Sequence, residues 1–328
     1  MATSSIFSNI STAIAGRKNI IFLFLSSLLS ILSLSACFTG IEGTKKISLS
    51  REDKKALAPT PEEIFFPGIE GEPLQQWSEG KQFLAADDKA ILVFERRSLP
   101  QGVEDAPLGG KKLSFNGILS KMDVSGTLVT QISFTDGLRY YVYNTGKPLD
   151  QAMTYIKSDQ IPMLIDLNLV KKVKDKLVDH KLWTRSPLWY DDSEERIDGK
   201  RFVPVTIVDV VPGNMIFPLK IQIEEESGNK AWMFMNYGNS GTESRSFHNL
   251  FSLDDPKRHY PNVSDEVWKN ICEGKIILGM TKEECKLALG NPTSVNAGHD
   301  YSQTLYIWTY DNGAVLWFVD GILSRFRN

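Results

Sequence analysis

Hydrophobic and polar residues alternate in six segments in the middle of this 328-residue chain. Such an alternation places apolar side chains on one face of a strand and polar side chains on the other. Each segment is bounded by Gly, Asp, Asn or Pro, which favour turns, so each is predicted to be a strand. The six predicted strands cover residues 112–118, 127–134, 139–143, 201–211, 217–223 and 230–235.

The strand segments also repeat along the chain. Residues 110–113 match residues 199–202, and residues 132–134 match residues 221–223, both at an offset of 89 residues. Later matches drift by a few residues, as insertions in turns would produce. A period of this kind indicates two copies of one structural unit.

The two copies are predicted to cover residues 68–155 and 181–250. Closing a few short strands into a barrel removes exposed sheet edges, and the pattern resembles SH3-like small β-barrels. Between the copies, residues 156–180 include apolar positions spaced by three and four, which predicts a helical connector.

The N-terminus has the pattern of an export signal. A basic pair, Arg17 and Lys18, precedes seventeen uncharged residues, 20–36, which are rich in Leu, Ile and Phe. The apolar stretch ends in Leu-Ser-Ala before Cys37, which resembles the lipobox of bacterial lipoproteins. Residues 1–36 are therefore predicted to be a signal peptide, and Cys37 the lipidated residue. The alternatives are a plain transmembrane anchor or a signal peptide cut elsewhere.

Residues 37–67 are rich in Gly, Ser, Thr, Lys, Glu and Pro and are predicted to form the lipidated cysteine and a flexible tether. No aspartate follows Cys37, and no acidic cluster follows it either. Both absences favour an outer-membrane lipoprotein that faces the periplasm, with the outer membrane as its partner through the lipid anchor.

Residues 255–328 are predicted to form two helices followed by three antiparallel strands. Ser264 is the expected N-cap of the first helix, and Thr281 with Glu284 forms a capping box for the second. Gly290 favours the left-handed conformation that ends a helix. Asp-Asn-Gly and Asp-Gly turns separate the three apolar segments that follow.

The letters GMT at the start of the second helix and LGNP at its end resemble the SmpA/OmlA (BamE-like) family of outer-membrane lipoproteins. The residues that carry the resemblance are Ile276, Gly279, Met280, Thr281, Leu289, Gly290 and Pro292, with Trp308, Tyr310, Phe318, Gly321 and Leu323 in the strands. The predicted fold class is α+β and β: two SH3-like small β-barrel repeats followed by a two-helix/three-strand antiparallel BamE-like domain.

This resemblance implies a non-catalytic module that supports the envelope through contacts with a protein partner. For the best-known member of the family, those contacts lie within the machinery that assembles β-barrels in the outer membrane. In this chain each motif residue has a capping, turn or core role, so an envelope scaffold or protein-binding module is the predicted function.

Charge and composition narrow the function classes further. Lys and Arg number 37 and Asp and Glu number 40, without a long run of like charge, so nucleic acid is not expected as a partner. The four histidines are scattered, so neither a metal site nor a cofactor is predicted. No catalytic motif is recognisable, and the protein is predicted not to be an enzyme.

Cys272 and Cys285 lie on the two predicted helices of the last domain. In an exported protein, a disulfide between packed helices would stabilise the hairpin by about 2–4 kcal/mol. The alternative is two small buried thiols.

Five aromatic residues are the candidate binding residues: Trp183, Trp189 and Tyr190 in the second repeat, and Trp308 and Trp317 in the last sheet. The alternative for each is a core position. Two other functions stay open at this stage. The two-helix/three-strand arrangement also resembles β-lactamase-inhibitor proteins, which suggests a periplasmic inhibitor or ligand-binding protein. The tandem barrels suggest a peptidoglycan-binding lipoprotein.

Overall fold

A computed structural model describes residues 59–95, 107–238, 244–300 and 303–327. The predicted signal peptide, 1–36, and the predicted lipidation site Cys37 lie outside the described residues. No helix within the described ranges is long and apolar enough to cross a membrane.

The last residues of the predicted tether, 59–67, are folded. Helix α1 (Pro61–Phe65) begins at a capping box in which the Thr60 side chain accepts from the Glu63 backbone N–H, and the Glu63 carboxylate accepts from the Thr60 backbone N–H. Phe66, which follows the helix, is fully buried. This segment therefore packs into the protein and does not act as a flexible spacer.

The first sheet has five antiparallel strands in the order β4-β3-β2-β1-β5. Its strands are β1 (Gln82–Ala85), β2 (Lys112–Met122), β3 (Leu128–Thr135), β4 (Tyr140–Asn144) and β5 (Leu164–Asp166), with helix α2 (Leu149–Tyr155) between β4 and β5. Alternate residues of the strands bury large apolar side chains on one face. Phe83 and Phe134 are fully buried there, and the ring centroid of Trp77 lies 5.1 Å from that of Phe83.

The second sheet has seven strands in the order β12-β6-β9-β10-β11-β7-β8. Its strands are β6 (Lys181–Thr184), β7 (Leu188–Tyr190), β8 (Arg196–Asp198), β9 (Pro204–Pro212), β10 (Leu219–Glu225), β11 (Lys230–Met235) and β12 (Phe251–Ser252). Helix α3 (Leu167–Leu177) buries Leu169, Val170, Val173 and Leu177 in the same core as the strands' inward residues. The short helix α4 (Phe247–Leu250) precedes β12.

A buried ion pair lies where the first sheet meets α3. The Nζ atom of Lys81 is 2.8 Å from Oδ2 of Asp166 and 3.0 Å from Oε2 of Glu72. Asp166 is also the N-cap of α3, because its side chain accepts a hydrogen bond from the backbone N–H of Asn168. The hydroxyl of Ser158 donates to Asp166 at 2.5 Å.

The last part of the described chain has two helices and a third antiparallel sheet. Helices α5 (Asp265–Cys272) and α6 (Lys282–Leu289) are followed by β13 (Ser294–Asp300), β14 (Gln303–Thr309), β15 (Val315–Val319) and β16 (Ile322–Arg327), paired in chain order. The predicted caps are present at Ser264 and at Thr281 with Glu284. Gly290 ends α6 with φ of +88°, a conformation that glycine adopts without strain.

The predicted fold class is wrong. The structure is mostly β, with sixteen strands in three antiparallel sheets among the described residues, and the first two sheets are open instead of forming two SH3-like small β-barrels. The repeated segments form a three-stranded meander in each sheet, β2–β3–β4 and β9–β10–β11. Helix α3, predicted to be a connector, covers the second sheet, so apolar burial is achieved by packing a helix instead of closing a barrel.

The predicted two-helix/three-strand BamE-like arrangement is not present either. The sheet after α6 has four strands, and β13 is the one that the sequence did not predict. Its residues, Ser-Val-Asn-Ala-Gly-His-Asp, include only two apolar side chains, Val295 and Ala297, so the sequence pattern is too short to predict a strand. The pairing with β14 makes this segment a strand.

Candidate functional site

The five predicted binding residues lie on separate surfaces. Trp189 is 4% exposed and belongs to the core of the second sheet, and its indole N–H donates to the Ser186 carbonyl at 3.1 Å. Trp183 is half-buried on β6, Tyr190 lies on the outer face of the second sheet, and Trp308 and Trp317 point to opposite faces of the third sheet. They do not form one common site.

The polar groups around Tyr190 are already partnered inside the protein. Arg245 donates to the Tyr190 hydroxyl at 2.7 Å and lies 4.2 Å from the ring centroid of Phe217. Lys220 lies 4.8 Å from the Trp232 ring centroid, and the indole N–H of Trp232 donates to an aspartate. These contacts stabilise the outer face of the sheet. The side chains of Tyr190, Trp232 and Arg245 therefore make their polar contacts within the described part of the protein.

Trp317 lies on the solvent-facing side of the third sheet. The guanidinium of Arg325 is 4.9 Å from its ring centroid, and Ile307 beside it is 36% exposed. This face has apolar side chains in its centre, and none of the buried polar atoms without a hydrogen-bond partner among the described residues belongs to Trp317, Ile307 or Arg325.

Trp308 forms part of a groove between α6 and the strands β13 and β14, which we term the lysine–aromatic groove. Its volume is about 380 Å³. The groove is lined by Lys282, Lys286, Asn291, Pro292, Val295, Tyr306 and Trp308.

Helix α6 places the two lysines of the groove. The capping box at Thr281 fixes the first turn of the helix, and Lys282 and Lys286 are four residues apart, so both lie on one helix face. The Nζ atom of Lys282 is 3.5 Å from the Tyr306 ring centroid, and that of Lys286 is 5.5 Å from the Trp308 ring.

Strand β14 places the two aromatic side chains. Tyr306 and Trp308 are two residues apart and therefore point to the same face of the sheet. Trp308 is 3% exposed, and its Nε1 has no hydrogen-bond acceptor among the described residues. A buried donor without an acceptor costs about 1–3 kcal/mol, so native structures rarely contain one.

The ammonium groups of the two groove lysines also lack carboxylate partners. Neither Lys282 nor Lys286 has a carboxylate oxygen within 4.0 Å in the part of the chain that the structure describes. The groove thus offers two ammonium groups that lie over two aromatic rings. This combination fits a ligand that carries negative charge and some apolar surface.

Cys272 and Cys285 are free thiols in the structure, so the disulfide that their spacing suggested is not formed there. Burial, with smaller effects from nearby acidic groups, raises the pKa of Cys272 to about 11 and that of Cys285 to about 12. Thiols with such values are neutral at pH 7 and poorly nucleophilic.

No group of three or more metal-ligating side chains occurs within the described ranges. The sequence did identify Trp308, but it did not identify the lysines beside it. The sequence feature that could have identified them is the spacing of Lys282 and Lys286, four residues apart on a capped helix. The sequence does not show which strand that helix faces.

No protein-family model matches the chain, and comparison with curated proteins finds no match. The resemblance to the SmpA/OmlA family therefore rests on its short motifs alone and stays a prediction.

Proposed function

We propose that this chain is a non-catalytic, lipid-anchored protein of the bacterial envelope that binds an acidic segment of a partner protein in the lysine–aromatic groove. The observation that carries the binding proposal is the pair Lys282 and Lys286, which have no carboxylate partner among the described residues and lie over the two aromatic rings of the groove. An acidic side chain of a bound peptide would supply the missing counter-charge.

The position of the groove favours an extended peptide. Val295, which lines the groove, belongs to β13, and β13 is an edge strand of the third sheet. An edge strand presents unpaired backbone groups to which another strand can be added, so main-chain pairing and the groove's charges would act together.

The two alternative functions lose their structural basis. The peptidoglycan hypothesis depended on tandem barrels, and the inhibitor hypothesis depended on a two-helix/three-strand arrangement. Neither arrangement is present in the described residues.

Binding of defined peptides to the full chain in detergent tests the groove. We expect a fluorescein-labelled peptide of alternating Glu and Phe to bind in an anisotropy titration, and a Lys–Phe peptide of equal length not to bind. The K282E/K286E double variant should weaken binding about tenfold or more, because two attractive contacts become repulsive.

Matched variants separate the groove from general charge effects. The K111E/K112E variant makes the same charge change at two exposed lysines outside the groove and should bind as the unmodified chain does. Equal binding by both double variants, or binding to anionic phospholipid vesicles but to neither peptide, would contradict the proposal.

The lipid anchor has its own test. Metabolic labelling with radioactive palmitate should mark the unmodified protein in the outer-membrane fraction and should not mark a Cys37→Ala variant. Labelling that persists in the variant would place the acyl chain elsewhere and remove the basis for the anchor at this residue.

A further inference from the structure

A second concave site lies between the second sheet and the ends of helices α5 and α6. It has a volume of about 590 Å³, within the range of about 300–1,000 Å³ that small-molecule sites occupy. Strand β8 and the loop after it form one wall, and the residues after α5 and the last turn of α6 form the other. All of the lining residues belong to the described part of the chain.

Four cationic side chains line this cavity, and two of them are partnered. Lys200 Nζ lies 2.7 Å from a carboxylate oxygen of Glu225, and Lys275 Nζ lies 2.7 Å from one of Glu273. These two lysines raise the local potential, but their ammonium groups already have carboxylate neighbours.

The two arginines of the cavity, Arg196 and Arg201, are not partnered in this way. Neither has a carboxylate oxygen within 4.0 Å among the residues that the structure describes, although Asp198 also lines the cavity. Arg196 is exposed at the cavity mouth, whereas Arg201 is partly buried and its Nε atom is buried without an acceptor.

Burial lowers the pKa of Arg201, and the nearby Tyr310 offsets this effect only in part. A guanidinium stays protonated in proteins, so the positive charge of Arg201 is partly buried from solvent and has no carboxylate counter-charge among the described residues. A partly buried charge of this kind is normally paired, and here the missing partner would be an anion.

The ends of the two helices do not supply that partner. Helix C-termini carry partial negative charge, and α5 and α6 both end at the cavity. However, the Cys272 carbonyl accepts from the backbone N–H of Arg201 at 2.9 Å, and the Gly290 carbonyl accepts from the Tyr310 hydroxyl at 3.2 Å. The guanidinium of Arg201 makes no hydrogen bond to either carbonyl.

We propose that this cavity binds the oxyanion group of a small ligand, either a phosphate or a carboxylate, with Arg201 as the principal contact and Arg196 at the mouth. The planar guanidinium matches both kinds of oxyanion through two parallel hydrogen bonds. The cavity is larger than a single phosphate, so the oxyanion belongs to a larger organic molecule.

Thermal unfolding of the full chain in detergent tests the site, with inorganic phosphate or succinate compared with chloride at constant ionic strength. At least one of the two oxyanions should raise the Tm above its value in chloride. A rise with phosphate alone assigns a phosphate ligand, and a rise with succinate alone assigns a carboxylate ligand. The absence of a rise with both would overturn the proposal.

Matched variants locate the effect. Arg201→Gln should abolish the rise and weaken the anion's Kd about tenfold in a calorimetric titration, while its own Tm in chloride should be no lower than that of the unmodified chain. Arg258→Gln removes an exposed arginine outside the cavity and should retain the rise. A rise that persists in Arg201→Gln would refute the site.

If Arg201→Gln does not fold, Arg201→Lys provides the same test. This variant keeps the positive charge and loses the planar guanidinium, so the Kd for the anion that raises the Tm should increase several fold. An unchanged Kd in this variant would show that the guanidinium does not hold the anion.

Discussion

The buried ion pair between Lys81 and Asp166 allows a quantitative test of what joins the first sheet to helix α3. The side chain of Lys81 is 1% exposed and that of Asp166 is not exposed at all. The change to make is Lys81→Met, which removes the ammonium group and keeps an unbranched, uncharged side chain only one atom shorter than that of lysine.

The expected loss of stability follows from the burial of the partner that is left behind. Removing one member of a buried pair leaves an uncompensated charge, which costs about 3–5 kcal/mol. Asp166 would keep only its hydrogen bonds from Ser158 and from the Asn168 backbone. Glu72 contributes less to the deficit because Lys172 still lies 2.8 Å from its other carboxylate oxygen.

Urea unfolding followed by circular dichroism measures this loss, and the chain offers a matched control. Lys171 and Asp175 form an exposed pair with side chains 73% and 61% exposed, so Lys171→Met should cost less than about 0.5 kcal/mol. The double variant K81M/D166N should recover much of the loss, since asparagine also caps helices and no buried charge remains. Equal costs for the two lysine variants would refute the reasoning.

Three further predictions concern packing, thiols and pH. A Cβ at Gly71 would lie 2.3 Å from Oδ1 of Asp159, so Gly71→Ala should lower the free energy of unfolding by about 1–3 kcal/mol in urea titrations. Cys272 and Cys285 should both be alkylated after denaturation without reductant, and only slowly in the native protein at pH 8, as peptide mapping would show. A lysine hydrogen bond holds the pKa of Glu72 below its usual 4.5, so its stabilising effect is present above that value and is lost as the pH falls through the lowered pKa. Glu72→Gln should therefore reduce the loss of stability between about pH 5 and pH 3.

Local features of the fold were predictable from the sequence, because neighbouring residues determine them. Thr281 and Glu284 contact each other within one helical turn, so their spacing alone indicates the cap. Sheet closure depends on residues that are distant in sequence. Alternation in β9 and β10 shows that one face is buried, but it does not show whether a barrel interior or helix α3 covers that face.

The candidate sites were only partly predictable for the same reason. Trp189 and Trp308 both occur in apolar alternating segments, yet one indole N–H has a nearby backbone acceptor and the other has none among the described residues. Arg201 lies in a repeated segment at the start of a stretch that the sequence predicted to be a strand. Its unpaired charge arises because this part of the chain packs against two helix ends that come much later in the sequence.

An unpartnered buried polar atom does not by itself indicate a ligand. Seven side-chain atoms in the described residues are of this kind, including the buried hydroxyls of Thr130 and Ser246. Trp308 and Arg201 differ because each lies in a concave site beside lysine or arginine side chains without carboxylate partners. The cavity that Asp159 and Tyr237 share has no lysine or arginine among the described residues of its lining. At Arg201 the cost of a missing hydrogen bond and the cost of an unpaired, partly buried charge occur at one side chain and add together. An anion bound there would remove the cost of the unpaired charge, and an acidic group in the lysine–aromatic groove would pair with two lysines, so these two sites, and not the other unpartnered atoms, support the functional proposals.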